Sequence, residues 1–201
     1  MKKFLYLIRH GHALHNELYE TLGLQAFRIP EVIDSPLTDI GHQQSVTLGQ
    51  TVNDYQIELV LVSPLLRTLD TAHNIFQSTD IPILCQEFLR EYPIGEDTCN
   101  QRSDISMYKE KFPSIDFSPI DSNKDIYWKP ERETLDQLEE RIEQMKEYIM
   151  KRPETHIAIV GHSSFLGQFK DKKIGYRENG DEDLKHCHPY VYVLDDSEST
   201  D

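Results

Sequence analysis

Short apolar runs, separated by stretches in which apolar and polar residues mix, organise this chain. Phe4-Leu5-Tyr6-Leu7-Ile8, Leu59-Val60-Leu61-Val62 and Ile157-Ala158-Ile159-Val160 are continuous hydrophobic segments. That is the pattern of strands covered on both faces, as in a parallel sheet. They predict strands over 3–8, 58–63 and 156–160, with shorter ones at 81–85 and 190–194. Helical patterns fall between them. Thr38 is placed to cap a helix from Asp39 to about Tyr55. Pro64 stands near the start of another that continues to about Gln77. Leu135, Leu138, Ile142, Met145 and Ile149 form one stripe over 133–151, closed by Pro153. A last helix follows Gly161-His162 to about Phe169. Residues 12–37 read as a long functional loop with a helical turn. Residues 91–133 break the rhythm with Pro93, Pro113, Pro119 and Pro130, and read as an inserted cap with a short helix at 103–111.

Strands alternating with helices imply an α/β fold, a three-layer α/β/α sandwich around a mainly parallel central sheet. The 201 residues suit one domain over 1–194 and an acidic tail over 195–201. In such a sheet ligands bind beyond the carboxyl ends of the strands. Arg9-His10, Ser63 with Arg67, Glu91, and Gly161-His162 each follow a predicted strand, so residues far apart in sequence share one rim.

Composition narrows the chemistry. A net charge of −14 opposes contact with nucleic-acid backbones. No apolar run approaches the roughly 20 residues needed to span a bilayer. Lys2-Lys3 before Phe4–Ile8 imitates a signal-peptide start, but the run is too short and no small-residue cleavage site follows. Cys85, Cys99 and Cys187 are an odd set at wide spacing, which argues against a disulfide framework. These features place the protein in the cytoplasm. An acidic protein that handles a phosphorylated substrate needs a locally positive pocket, which directs attention to arginines near strand ends.

Arg9 can grip phosphate oxygens bidentately. His10 offers a ring nitrogen able to attack phosphorus or move a proton. Gly11 permits a sharp turn beside a ligand. Each alone is weak; together with Arg67 and His162 they form a pattern. Leu-Ile-Arg-His-Gly (7–11) with Asn16, Ser35-Pro-Leu-Thr-Asp-Ile-Gly41 with Gln44, Val62-Ser-Pro-Leu-Leu-Arg-Thr68 with Thr71-Ala72, Arg90-Glu91 and Val160-Gly-His-Ser163 occur in an order that resembles the histidine phosphatase superfamily, with its phosphoglycerate-mutase-like fold. Phe112–Phe117, Trp128-Lys-Pro130 and Arg132-Glu133 are similar to a eukaryotic phosphoglycerate-mutase-like subgroup.

The resemblance implies that His10 is the nucleophile of a phosphatase that hydrolyses a phosphate monoester through phosphohistidine. It implies that Arg9, Asn16, Arg67 and His162 bind the phosphoryl group. Glu91 would protonate the leaving oxygen and then activate water. The scheme calls for no cofactor and no metal ion. The substrate is a small-molecule phosphate monoester or, in the same chemistry, a phosphoprotein. Two alternatives use the same residues: a phosphomutase that returns the phosphoryl group to a second hydroxyl, and a phosphoester-binding module without turnover. His12 is a departure from the family pattern and is either a further phosphate donor or a solvent-facing residue. His10, His12 and His15 with His186-Cys187-His188 also have spacing that resembles metal ligands, although His186–His188 reads as a loop before the last strand. In the cap, Arg102, Lys109 and Lys111 are candidate contacts to a further anionic group, Arg102 foremost because it lies near Glu91 in sequence.

Overall fold

A computed structural model describes residues 2–174 and 184–195; of the tail read at 195–201, residues 196–201 lie outside the described residues. Six strands form one sheet: β1 (Lys2–Arg9), β2 (Leu59–Val62), β3 (Ile83–Cys85), β4 (Ile115–Asp116), β5 (His156–Gly161) and β6 (Pro189–Asp195), in the order β4-β3-β2-β5-β1-β6. All neighbours are parallel except β6, which runs antiparallel to β1. The expected α/β sandwich is therefore the observed one, with α1 (Leu14–Leu22), α2 (Asp39–Gly49), α3 (Leu66–Phe76), α4 (Ile105–Lys111), α5 (Leu135–Met150) and α6 (Ser163–Asp171) around the sheet.

The apolar runs are explained by burial on both faces. Tyr6, Ile8, Val60, Val62, Ala158 and Val160 point to one side, where Leu69, Ala72 and Phe76 of α3 meet them. Leu5, Leu7, Leu59, Leu61, Ile157 and Ile159 point to the other, against Leu138, Ile142, Met145 and Ile149 of α5 and Phe165 and Leu166 of α6. Alternate residues of each strand thus fill alternate layers.

Local chemistry sets the helix ends. The Thr38 hydroxyl accepts the Gly41 N–H at 3.3 Å at the start of α2. Thr134 and Gln137 exchange side-chain and backbone bonds at 2.9 and 3.3 Å, a capping box that opens α5. Because the cap is Thr134, Leu135 is the first residue of the helix, and it is exposed instead of lying on the buried stripe.

Three segments differ from the sequence expectation. The helix read from Asp39 to about Tyr55 ends at Gly49, and a separate 3-10 turn follows at Val52–Asp54. Residues 12–37 contain a helix, α1, and 3-10 turns at Gly23–Phe27 and Pro30–Val32. The stabilising apolar set is small and local, Leu14, Leu18 and Tyr19 packed on Phe27 and Val32, too sparse to register as a stripe. The segment read as a cap is woven into the body. Ile105, Tyr108, Phe112, Ile115 and Phe117 enter the core on the α3 side, and Ile83 of β3 pairs in register with Ile115 of β4.

Register brings the rim together. Ile8 pairs with Val160 and Arg9 with Gly161, while Val62 pairs with Val160. The His10 N–H donates to the Gly161 carbonyl at 3.0 Å and the Ser63 N–H to the Val160 carbonyl at 3.2 Å. Arg9-His10, Ser63 and His162 therefore emerge side by side at the carboxyl ends of β1, β2 and β5.

Candidate active site

His10 sits at the centre of a group of imidazoles, of which His10, His15 and His162 are buried and His186 half-buried. Its ring centroid lies 5.3 Å from that of His162, 5.5 Å from His186 and 5.7 Å from His15. Nδ1 is 2.7 Å from the Gly11 carbonyl oxygen. A carbonyl only accepts, so Nδ1 carries the proton and Nε2 presents its lone pair. Burial, reinforced by Arg67, His162, His186 and Arg9, holds His10 well below the usual imidazole range and keeps it neutral.

The backbone around His10 is clamped. The Gly11 N–H donates to the Thr71 hydroxyl at 3.0 Å, and that hydroxyl donates to the Arg67 carbonyl at 2.6 Å. His186 donates from Nδ1 to the His10 carbonyl at 2.6 Å, and the Cys187 N–H donates to the Arg9 carbonyl at 2.9 Å. Gly11 is required for a reason other than the expected turn. A Cβ there would lie 2.5 Å from the Gly41 carbonyl oxygen, so the glycine permits close packing of the loop on α2.

The other expected residues reach their places by different routes, and Arg67, His162 and Arg9 lie close enough to act on His10. Arg67 stands in the first turn of α3 and is fully buried. It donates to the Cys99 carbonyl at 2.7 Å and to Asn100 Oδ1 at 2.8 Å, while its Nε has no partner. Arg9 Nη1 donates to the Leu184 carbonyl at 2.9 Å. His162 precedes α6; its Nε2 is 2.8 Å from the Ser63 hydroxyl and its buried Nδ1 has no partner. Burial and Arg67 hold it neutral as well. Asn16 turns its Oδ1 to the Ala13 N–H at 3.0 Å, which fixes the amide at the start of α1.

Glu91 lies against the start of α6. Its carboxylate accepts the N–H groups of Tyr92 at 2.8 Å, Phe165 at 3.0 Å and Ser164 at 3.2 Å, as helix N-termini favour. Burial nevertheless raises its pKa above the ordinary carboxyl value. Arg141 supports this loop by donating to the carbonyls of Phe88 and Arg90, each at 2.9 Å.

One candidate, Arg102, is not delivered to the site. Arg102 is buried in the protein body. It donates to Glu87 at 2.9 Å and to the carbonyls of Ser103, Ser122, Asn123 and Lys124 at 2.9–3.1 Å. No donor remains for a substrate, which corrects the expectation from its nearness to Glu91 in sequence. His12 has its Nδ1 2.9 Å from the Thr38 hydroxyl and its ring against His186, itself beside His10. Lys111 pairs with Asp70 at 2.7 Å. Among the described residues, no three His, Cys, Asp or Glu side chains are grouped to hold a metal ion, and no helix is long and apolar enough to cross a membrane.

Several contributors escaped the sequence reading. Ser63 reads as a turn residue and holds His162. Asn100, in the middle of the segment read as a cap, orients Arg67 and is itself fixed by the Pro93 carbonyl at 2.9 Å. His186 reads as a loop residue and forms a bridge with Arg9. Ser63 lies within the Val62–Thr68 motif, but Asn100 and His186 stand next to none, and only the fold places them there.

Parallel strands that end in a cationic pocket built around one buried histidine define an α/β protein suited to phosphoryl groups. The chain belongs to the histidine phosphatase superfamily, branch 1, whose family model matches residues 5–195. It is 34% identical over 197 aligned residues to phosphoglycerate mutase-like protein 1 of Arabidopsis thaliana, covering 82% of this chain and 69% of that one. The fold is shared with the ecdysone phosphate phosphatase of Bombix mori, at a TM-score of 0.63 and 17% identity over 98% of this chain and 90% of that one. It is shared also with the alpha-ribazole phosphatase of Shigella flexneri, at a TM-score of 0.56 and 23% identity over 95% of each chain.

Proposed function

We infer that this protein is a metal-independent phosphatase that hydrolyses a phosphate monoester through a phosphohistidine at His10. The observation that carries the reading is the bond from His10 Nδ1 to the Gly11 carbonyl, 2.7 Å, inside a pocket that keeps the ring neutral. It aims the Nε2 lone pair where Arg9, Arg67 and His162 converge.

Nε2 attacks phosphorus as the bond to the ester oxygen breaks. Glu91, whose carboxyl is pushed upward by burial, gives a proton to that oxygen and the alcohol leaves. Water then attacks the phosphorus, Glu91 takes a proton from it, and the phosphorus–nitrogen bond breaks to release inorganic phosphate and neutral His10. Arg9, Arg67 and Asn16 hold the phosphoryl oxygens. The Ser63 hydroxyl holds the His162 ring through Nε2 and leaves Nδ1 without a protein partner. Fixed guanidinium and imidazole donors supply the charge stabilisation that a metal ion gives elsewhere.

The test is turnover of para-nitrophenyl phosphate in the presence of chelator, from about pH 5 to 8, across the range where imidazole and raised carboxyl groups titrate. The reading expects chelator-resistant release of phosphate that His10→Ala abolishes. Isomerisation of a phosphoglycerate with no phosphate release would replace hydrolysis by a mutase reaction. Binding of the esters without any reaction would leave a binding module.

A further inference from the structure

His15 takes no part in that scheme, yet it is placed like a ligand-binding group. It is the second residue of α1, and its backbone N–H donates to the Ser35 hydroxyl at 3.0 Å, so its direction is fixed. The side chain is 4% exposed. Its ring lies between His10, at 5.7 Å, and Phe27, at 5.8 Å. Nδ1 is buried with no hydrogen-bond partner. An imidazole whose only task was to fill space would leave that nitrogen permanently unsatisfied, which phenylalanine or leucine would avoid. Burial and the nearby Arg67 and Arg9 keep the ring neutral, so one nitrogen donates and the other accepts.

His15 forms part of the wall of a cavity of about 40 Å³ together with Phe27, Arg67, Glu91, Tyr92 and Asn100. His10 and His162 are not part of that wall. The cavity therefore lies on the Glu91 side of the pocket, where the leaving oxygen departs, and its volume admits only a few atoms.

We propose that His15 is a substrate-binding residue that recognises a hydroxyl group on the alcohol part of the ester, close to the ester oxygen. A hydroxyl both donates and accepts, as a neutral imidazole does, and it is small enough for the cavity. The substrate class is a phosphorylated polyol in preference to a simple alkyl phosphate. The inference rests on the hydrolytic reading above.

Glycerol 1-phosphate and n-propyl phosphate differ only in hydroxyl groups, and they form the test. The wild-type protein is expected to favour glycerol phosphate at least about tenfold in kcat/KM, the effect of one well-made hydrogen bond to a buried group. His15→Phe is expected to erase the preference, mainly through KM, and His15→Gln to retain part of it. A wild-type protein without preference, or a His15→Phe protein in which both esters lose the same factor, would overturn the proposal and leave His15 as packing. Failure of His15→Phe to fold shifts the comparison to His15→Gln and His15→Leu, with the same ratio as readout. Absence of turnover with both esters would count against hydrolysis, not His15. The ratio of their calorimetric affinities for the wild-type and His15→Phe proteins then decides by the same criterion.

Discussion

Two clusters of buried arginine in this molecule differ in what answers their charge. In the hub formed by residues 86–128, Arg90 meets both oxygens of Asp125 at 2.7 Å, and Arg102 meets Glu87 at 2.9 Å. Although burial acts the other way, Arg90 holds the Asp125 carboxyl down to about 2. In the cradle, Arg67 gives its Nη groups to a carbonyl and an amide oxygen, both neutral. The carboxyl there, Glu91, moves upward through burial, and the imidazoles of His10, His15 and His162 are pushed to neutrality. The hub answers its own charge and is structural. The cradle leaves a buried guanidinium without an ion pair among the described residues, and in the proposed function a phosphoryl dianion would complete it.

Exchanging the two kinds of arginine tests this contrast most severely. Arg67→Ala is expected to lower kcat by about 10²–10³, as loss of one fixed transition-state donor does, with a small effect on folding. Arg102→Gln is expected to lower stability by about 3 kcal/mol, the scale for breaking a buried ion pair, while kcat of the folded fraction stays within about threefold. Urea melts alongside steady-state kinetics separate the outcomes; equal kinetic losses would erase the distinction.

The next effect concerns pH. Glu91 must be protonated to act as an acid, and its pKa lies above the ordinary 4.5, so kcat/KM falls as pH rises through that raised value. Glu91→Gln is expected to lower kcat/KM by about 10²–10³ and to remove the alkaline limb. An alkaline limb that survives the substitution would assign proton donation elsewhere.

Smaller still is the response to product. Inorganic phosphate or vanadate at about 100 times its dissociation constant should stabilise the wild-type protein by about 2.7 kcal/mol, read as a rise in melting temperature. Arg67→Ala should lose most of that rise, and Arg102→Gln should keep it.

Much of this was legible in the chain because its signals are local. The runs at 5–8, 59–62 and 157–160 have the burial they predict, and Arg9, His10, Arg67, Glu91 and His162 come together because each follows a strand of one mainly parallel sheet. What was not legible depends on contacts distant in sequence. Arg102 reads like a substrate ligand until Glu87 and the carbonyls of 122–124 are seen around it. Ser63 and Asn100 show no role in the site until their partners, His162 and Arg67, arrive from other strands and helices. β4 escaped notice because two residues, Ile115–Asp116, carry no periodicity.

The smallest expected effect is a slope of stability with pH. His10, His15 and His162 take up protons less readily when folded than at the ordinary imidazole value of 6.5. The unfolded chain therefore binds more protons as pH drops below that value. Their contribution is complete above about pH 6.5 and declines toward acid, by at most about 1.4 kcal/mol per pH unit for each ring. His15→Phe should flatten the slope by one such increment.

The central claim is that His10 carries the phosphoryl group between the two half-reactions. Rapid quenching of the protein in alkali during turnover of a radiolabelled phosphate ester tests it directly, because phosphohistidine survives alkali and is destroyed by acid. The account predicts an alkali-stable, acid-labile label that peptide mapping places on His10 and that His10→Ala abolishes together with turnover. Full turnover with no label, or a label on another residue, would contradict it.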